Sequence, residues 1–263
     1  MHPGSIPGEA SKPMVVRERN GLSVSRQPSA DWPRRGFVTM TIDFAALRTK
    51  MVDCQIRTTD VTDLAIIDAM LAVPREEFVS SRLRPLAYID EDVEIAPADE
   101  TGVARYMMEA SPFARLIQLA GVGPSDFVLD VGCASGYSAA VLSLVAGSVI
   151  ALEESAELVE AAQSNLDRLG YHGVAVVEGP LAAGCKSEAP YDVIMMEGSV
   201  EEVPAALFDQ LKDGGRLVVV EGNGNAAIAK IYQKSGTVVS GRRAFNAAVK
   251  PLPGFERAAE FEF

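Results

Sequence analysis

Val128-Leu129-Asp130-Val131-Gly132-Cys133-Ala134-Ser135-Gly136-Tyr137 is the stretch on which the fold turns. A short apolar run ends abruptly in small residues, and Ser138 to Val145, rich in Ala, Leu and Val, follows as a helix. A second apolar run, Ser148 to Leu152, ends at Glu153. The order is strand, glycine turn, helix, strand, acidic residue. Gly132 permits a tight turn, and Gly136 permits close contact of backbone with ligand or of helix with strand. The carboxylate of Glu153, closing the second strand, can accept hydrogen bonds from the two hydroxyls of a ribose. The G-x-G-x-x-G dinucleotide pattern is not met, because Tyr137 stands at its third small position. The residues alone leave two readings open, a nucleotide-type cofactor loop and a plain strand-to-helix turn.

Downstream the alternation continues. Glu157 to Leu169 reads as an amphipathic helix closed at Gly170, Val174 to Val177 as a third strand, and Tyr191 to Met196 as a fourth, ending at Glu197-Gly198. Pro204 to Leu211 is a helix stopped at Gly214-Gly215, and Arg216 to Val220 is a fifth strand. Continuous apolar runs alternating with helices predict an α/β fold with a largely parallel sheet covered on both faces. Ala226 to Gln233, Gly236 to Ser240 and Arg243 to Val249 read as strands around turns, an antiparallel end. Parallel strands present ligands at their carboxyl ends, so Asp130, the Gly132 to Gly136 loop, Glu153, the turn at Gly179 and Glu197 should converge.

Upstream, a helix starts at Asp43-Phe44 and runs toward Arg57, and a second spans Asp63 to Ala72, stopped before Pro74. Tyr88 to Ile95 is irregular and acidic. Val103 to Ala120 reads as a helix, or as two with Ser111-Pro112 as cap and first turn of the second. Residues 1–37 carry five prolines, basic residues in excess of acidic ones and no period, and read as a disordered extension. The remaining regions are 38–122 (helices and substrate loop), 123–225 (cofactor-binding core) and 226–263 (strands completing the same domain).

The formal charge of -12, from 24 basic and 36 acidic residues, argues against a nucleic-acid partner. The two histidines, His2 and His172, and the three cysteines, Cys54, Cys133 and Cys185, have no metal-ligand spacing. Cys133 lies inside the glycine loop with no base in view, which favours a packed thiol over a nucleophile. Neither a membrane span nor a signal segment is read, so no membrane partner and a cytoplasmic location are expected.

Two resemblances sharpen this reading. The D-x-G-x-A-x-G spacing of Asp130 to Gly136 resembles the S-adenosylmethionine loop of class I methyltransferases, with Ala134 where that group usually has Gly. Met51-Val52-Asp53-Cys54-Gln55-Ile56-Arg57, Val61-Thr62-Asp63, Ala69-Met70 and Val73-Pro74-Arg75-Glu76-Glu77-Phe78-Val79 resemble the opening of protein-L-isoaspartate O-methyltransferases. The likeness continues through Leu169-Gly170-Tyr171, Val176-Val177-Glu178-Gly179, Ala189-Pro190-Tyr191-Asp192 and Gln210 to Val218, covering about residues 45 to 220.

The resemblance implies a class I methyltransferase-like (Rossmann-like) fold, S-adenosyl-L-methionine as cofactor, and methyl transfer to a peptide carboxylate in protein repair. The acceptor it implies is a protein or peptide carrying an isoaspartyl residue. It places Asp130, Gly132, Ala134 and Gly136 near the methionine part, Glu153 on the ribose, Gly179 at the adenine edge and Glu197 at a neighbouring strand end. Alternatives are a related methyltransferase with another acceptor, including a small molecule, and a non-catalytic S-adenosylmethionine-binding module. The family's Gln-Thr/Ser-Ile-Ser-x-Pro stretch corresponds to Gly102 to Pro112, which puts Glu109 near the active-site Ser and, with a shift, Ser111. Both are candidate catalytic residues. Glu109 would oppose an acceptor carboxylate unless it is neutral or paired with Arg105.

Overall fold

Residues 42–98 and 102–256 are described by a computed structural model. The extension over residues 1–37 and the aromatic tail at Phe261 and Phe263 lie outside the described residues.

Helix α1, Phe44–Met51, begins where the Asp43 carboxylate accepts the Ala46 N–H, and it runs on as a π-helical turn, Val52–Ile56. Helix α2, Leu64–Ala72, is capped by Asp63, which accepts from the N–H groups of Ala65 and Ile66. The region before the glycine loop departs from expectation. Val93–Ala96 (β1) and Arg105–Met107 (β2) pair antiparallel in a separate two-stranded ribbon, and helix α3 spans Ala110–Ala120. The helix cannot extend back to Val103, because a proline ring and its missing N–H fit only the first turn, and Pro112 sets that turn at Ala110. Arg105 to Met107 are therefore extended, and they find their backbone partners on β1.

The main sheet holds β3 (Phe127–Val131), β4 (Ser148–Glu153), β5 (Val174–Glu178), β6 (Tyr191–Val200), β7 (Leu211–Glu221), β8 (Ile228–Ser235) and β9 (Val238–Asn246). Their order is β5-β4-β3-β6-β7-β8-β9. The pairs from β5 through β7 are parallel, and β7, β8 and β9 form an antiparallel end. That end is one hairpin rather than three short strands. Gly241 and Arg242, which read as a break between strands, pair in register with Tyr232 and Ile231, and the one-residue slip in β9 falls further on, between Arg243 and Phe245.

Helices α4 (Tyr137–Leu142), α5 (Ala156–Leu169) and α6 (Ala205–Asp209) complete the layers. Val128, Val149, Ala151, Val193, Met195 and Val218 face a core built with α1 to α5. Their alternates Leu129, Ile150, Leu152, Ile194, Leu217 and Val219 face a smaller core shared with Leu207 of α6 and with Leu252 and Phe255. Burial on both faces is why these strands read as unbroken apolar runs. From β3 the chain steps outward through β4 to β5, then returns to place β6 on the other flank of β3. This reversal opens a crevice at the carboxyl ends of β3 and β6.

Arg75 ties the N-terminal region to that crevice. It is wholly buried, donates to the carbonyls of Ala87 (2.7 Å) and Met108 (2.6 Å), and stacks over the Tyr137 ring at 4.7 Å. Replacing it by methionine strips two buried carbonyls of charged donors, so Arg75→Met should lower unfolding free energy by about 3 kcal/mol. Urea denaturation measures it. A loss under about 0.5 kcal/mol would mean that water or another donor serves those carbonyls.

Candidate functional site

The carboxyl ends of β3, β4 and β6 carry one acidic side chain each: Asp130 (fully buried), Glu153 (fully buried) and Glu197 (9% exposed). Between β3 and α4 the loop turns sharply, with Gly132 at φ +85° and Gly136 at φ +94°. At Gly132 a Cβ would lie 2.7 Å from Leu252 Cδ2 and 3.2 Å from Arg105 Nη2, so glycine is needed for close approach as well as for φ. Ala134 also adopts a left-handed conformation, φ +52°, which is unfavourable for a residue with a Cβ. Its N–H donates to Glu153 Oε2 at 2.9 Å, and this charge-assisted bond opposes the strain.

Glu153 is the most heavily bonded of the three. Its Oε1 accepts from Arg105 Nη1 (2.7 Å), Glu154 N (2.9 Å) and Ser155 N (3.2 Å), and its Oε2 from Arg105 Nη2 (2.8 Å) and Ala134 N. Arg105 Nη2 also donates to the Gly132 carbonyl at 3.2 Å. Arg105 thus pairs with Glu153, not with Glu109.

Asp130 takes a 2.7 Å hydrogen bond from Ser138 Oγ and is hydrogen-bonded to Glu197. Burial, and the nearby charge of Glu153, hold the Asp130 carboxyl well above its ordinary range, against the hydrogen bonds from Ser138 and Glu197. Burial, and then the Asp130 charge, push Glu197 up as well. Two adjacent carboxyls out of water do not both ionise, so the pair holds one proton between them. Asp130 Oδ1, Glu197 Oε1 and Ser135 Oγ are buried and take no other partner among the described residues. Burial and the surrounding carboxylates also push the Cys133 thiol up, so it is a packed thiol and not a nucleophile.

Little room remains beside these groups. The cavity bounded by Tyr106, Met108, Phe113, Gly132, Tyr137 and Glu197 has about 10 Å³, the space of one water. A second space of about 10 Å³, sharing Tyr106, Met108 and Glu197 with the first, is lined by Arg105 and by the segment Lys250 to Leu252, which is bonded through Ser199 N to Lys250 O and Leu252 N to Ser199 O, both 2.9 Å. Gly179 follows β5, with its N–H on the Glu153 carbonyl at 3.0 Å, flanking the site without lining that cavity.

The two candidate catalytic residues point elsewhere. Ser111 is on α3 and donates to Thr59 Oγ1 at 3.2 Å, away from the cavity. Glu109 precedes α3 and lines an open cleft of about 720 Å³ with Glu91, Asp92, Glu94, Tyr106 and Lys250. Its carboxyl is pushed up to about 7, first by burial, then by the charges of Asp90 and Asp92, while Arg75 opposes the shift. Its backbone N–H donates to Asp92 Oδ1 at 2.8 Å, and burial raises Asp92 too, against that bond and Lys250. Arg75, Ser138 and Leu252 also shape the site and escaped the sequence reading. Their partners lie far away in the chain or on another element.

Because Glu109 has a folded-state pKa above its ordinary 4.5, its contribution to stability is full below about 4.5 and is lost as pH rises through about 7. The advantage of Glu109→Gln over the parent should therefore grow from about pH 5 to about pH 8 in urea melts. A constant difference would place Glu109 in water.

A family model for protein-L-isoaspartate(D-aspartate) O-methyltransferase matches residues 47–253. A protein-L-isoaspartate O-methyltransferase of Koribacter versatilis is 35% identical over 211 residues, 80% of this chain and 92% of that one. A solved protein-L-isoaspartate O-methyltransferase superposes with a TM-score of 0.69 at 29% identity, covering 79% of this chain and 66% of that one. A Plasmodium falciparum structure, described as a putative protein-L-isoaspartate O-methyltransferase in complex with S-adenosyl-L-homocysteine, gives a TM-score of 0.63 at 19% identity over 80% of this chain and 98% of that one. At that identity the second structure supports the fold alone.

Proposed function

The chain belongs to the protein-L-isoaspartate(D-aspartate) O-methyltransferase family, and from that premise we propose which of its residues hold the cofactor and which face the acceptor. It is a class I S-adenosylmethionine-dependent methyltransferase that transfers a methyl group to an isoaspartyl carboxylate of a protein or peptide. The observation that carries the residue assignment is the convergence of Asp130, Glu153 and Glu197 on one glycine loop at the point where strand order reverses.

The residues present suit the cofactor chemically. Three buried polar atoms, Asp130 Oδ1, Glu197 Oε1 and Ser135 Oγ, lack partners beside the loop, as expected where a ligand supplies the missing donors. Glu153 is the ribose carboxylate, Asp130 with the Gly132 to Gly136 loop holds the methionine part, and Gly179 borders the adenine. The three carboxyls, one shared proton and one guanidinium leave a single negative charge, which favours a cationic ligand. When bound, S-adenosylmethionine supplies a methyl group on positively charged sulfur.

The protein's part is then alignment and charge placement, since a carboxylate acceptor is already a nucleophile. Glu109 borders the acceptor cleft. Protonated, it does not repel an acceptor carboxylate and can donate a hydrogen bond to it; ionised, it opposes binding. Ser111 supports α3 through Thr59 and positions Glu109 at the helix start. Among the described residues no helix is long and apolar enough to cross a membrane. The three unpaired thiols fit a reducing compartment, so the cytoplasm is the proposed location.

The deciding experiment is turnover of an isoaspartyl peptide with labelled S-adenosylmethionine beside an aspartyl control. Methylation of the first and not the second supports the assignment; methylation of neither, with cofactor bound, points to another acceptor. The parent enzyme's kcat/KM should fall a few-fold as pH rises above about 7, where Glu109 ionises, and Glu109→Gln should stay flat. Parallel profiles would remove Glu109 from the acceptor site.

A further inference from the structure

Glu153 has no capacity left for a ribose. A carboxylate offers about four lone-pair positions, and five protein donors already converge on this one. Three of those donors cannot leave. The N–H groups of Glu154 and Ser155 follow Glu153 directly in the chain, and the N–H of Ala134 belongs to the loop that a ligand would need in place. The two N–H groups of Arg105 are the removable pair. They approach both oxygens in a bidentate fork, the pattern of contacts that two neighbouring hydroxyls would make.

The support beneath Arg105 differs from the support beneath Glu153. Glu153 closes an interior strand of the seven-stranded sheet, paired on both sides with β3 and β5. Arg105 opens the three-residue strand β2, whose backbone pairs with four-residue β1 and does not join the main sheet. Short paired segments outside a main sheet open at lower cost than core strands. Downstream, the Arg75 bond to the Met108 carbonyl holds the chain and marks where such a movement ends. The cavity that Arg105 lines, about 10 Å³, is far below the several hundred Å³ of a small-molecule site.

Resting on the cofactor reading above, we propose that Arg105 is an internal competitor for the ribose subsite: its guanidinium occupies Glu153 in the free protein, and the β1–β2 ribbon must carry it away before cofactor seats. The free chain is a closed form, and apparent cofactor affinity is the intrinsic affinity reduced by the fraction of molecules in which Arg105 has left. A role in supporting Glu153 predicts the opposite sign, since a cation that orients the carboxylate would aid cofactor binding.

The test is calorimetric titration of the full chain with S-adenosylhomocysteine, comparing the parent with Arg105→Ala and Arg105→Gln. Both variants should bind about tenfold tighter or more. Equal or weaker binding by the folded variants overturns the proposal while leaving the cofactor assignment intact. Hydrogen exchange on the unmodified protein decides it if neither variant folds. Amides 105–107 should exchange faster when ligand saturates, and unchanged or slower exchange counts against displacement. No binding by the parent or by either folded variant would remove the cofactor assignment, and this inference with it.

Discussion

Three carboxyl groups buried at the ends of adjacent strands set the main physical demand on this molecule. An ion taken out of water costs several kcal/mol unless it is paired and fully hydrogen-bonded. Each group meets that demand differently. Glu153 accepts five hydrogen bonds, two of them from Arg105. Asp130 and Glu197 instead lean on each other through one proton and on Ser138. The first solution uses the full hydrogen-bonding capacity of Glu153, the proposed ribose carboxylate, and the second leaves buried oxygens without partners among the described residues.

Much of the surrounding fold serves this arrangement. The reversal of strand order brings β3 and β6 side by side, so that Asp130 pairs in register with Met195, two residues before Glu197. Gly132 admits both Arg105 and Leu252 within the space a Cβ would fill, and Gly198 likewise admits Leu252. Arg75 reaches from the N-terminal helical region to the Met108 carbonyl, linking the turn after α2 to the chain that leads from the ribbon into α3. Glu153 is fully bonded, and little free space remains beside the loop. On the proposal above, cofactor entry requires movement of the ribbon, which pairs outside the main sheet.

The central sheet was legible because its signals are local. An unbroken apolar run followed by glycines, as in Val128 to Gly136, specifies a buried parallel strand and its turn without reference to anything distant. The ribbon was not legible. Strands of three and four residues carry no usable period, and their pairing across the chain determines them. In sequence Arg105 offers itself as a partner for Glu109, yet its partner is Glu153, 48 residues away on β4. Ser111 shares its helix with cavity-lining Phe113, and its direction follows from how α3 packs on the turn bearing Thr59. The raised Glu109 carboxyl depends on Asp90 and Asp92, and the loop that brings them close has no sequence signature.

The most direct measurement is an electron-density map of the full chain crystallised with S-adenosylhomocysteine. The ribose hydroxyls should lie on Glu153 with the Arg105 guanidinium displaced, and the glycine loop and the Ala134, Glu154 and Ser155 bonds should stay as they are. Ligand bound elsewhere, with Arg105 still bidentate on Glu153, would contradict the account.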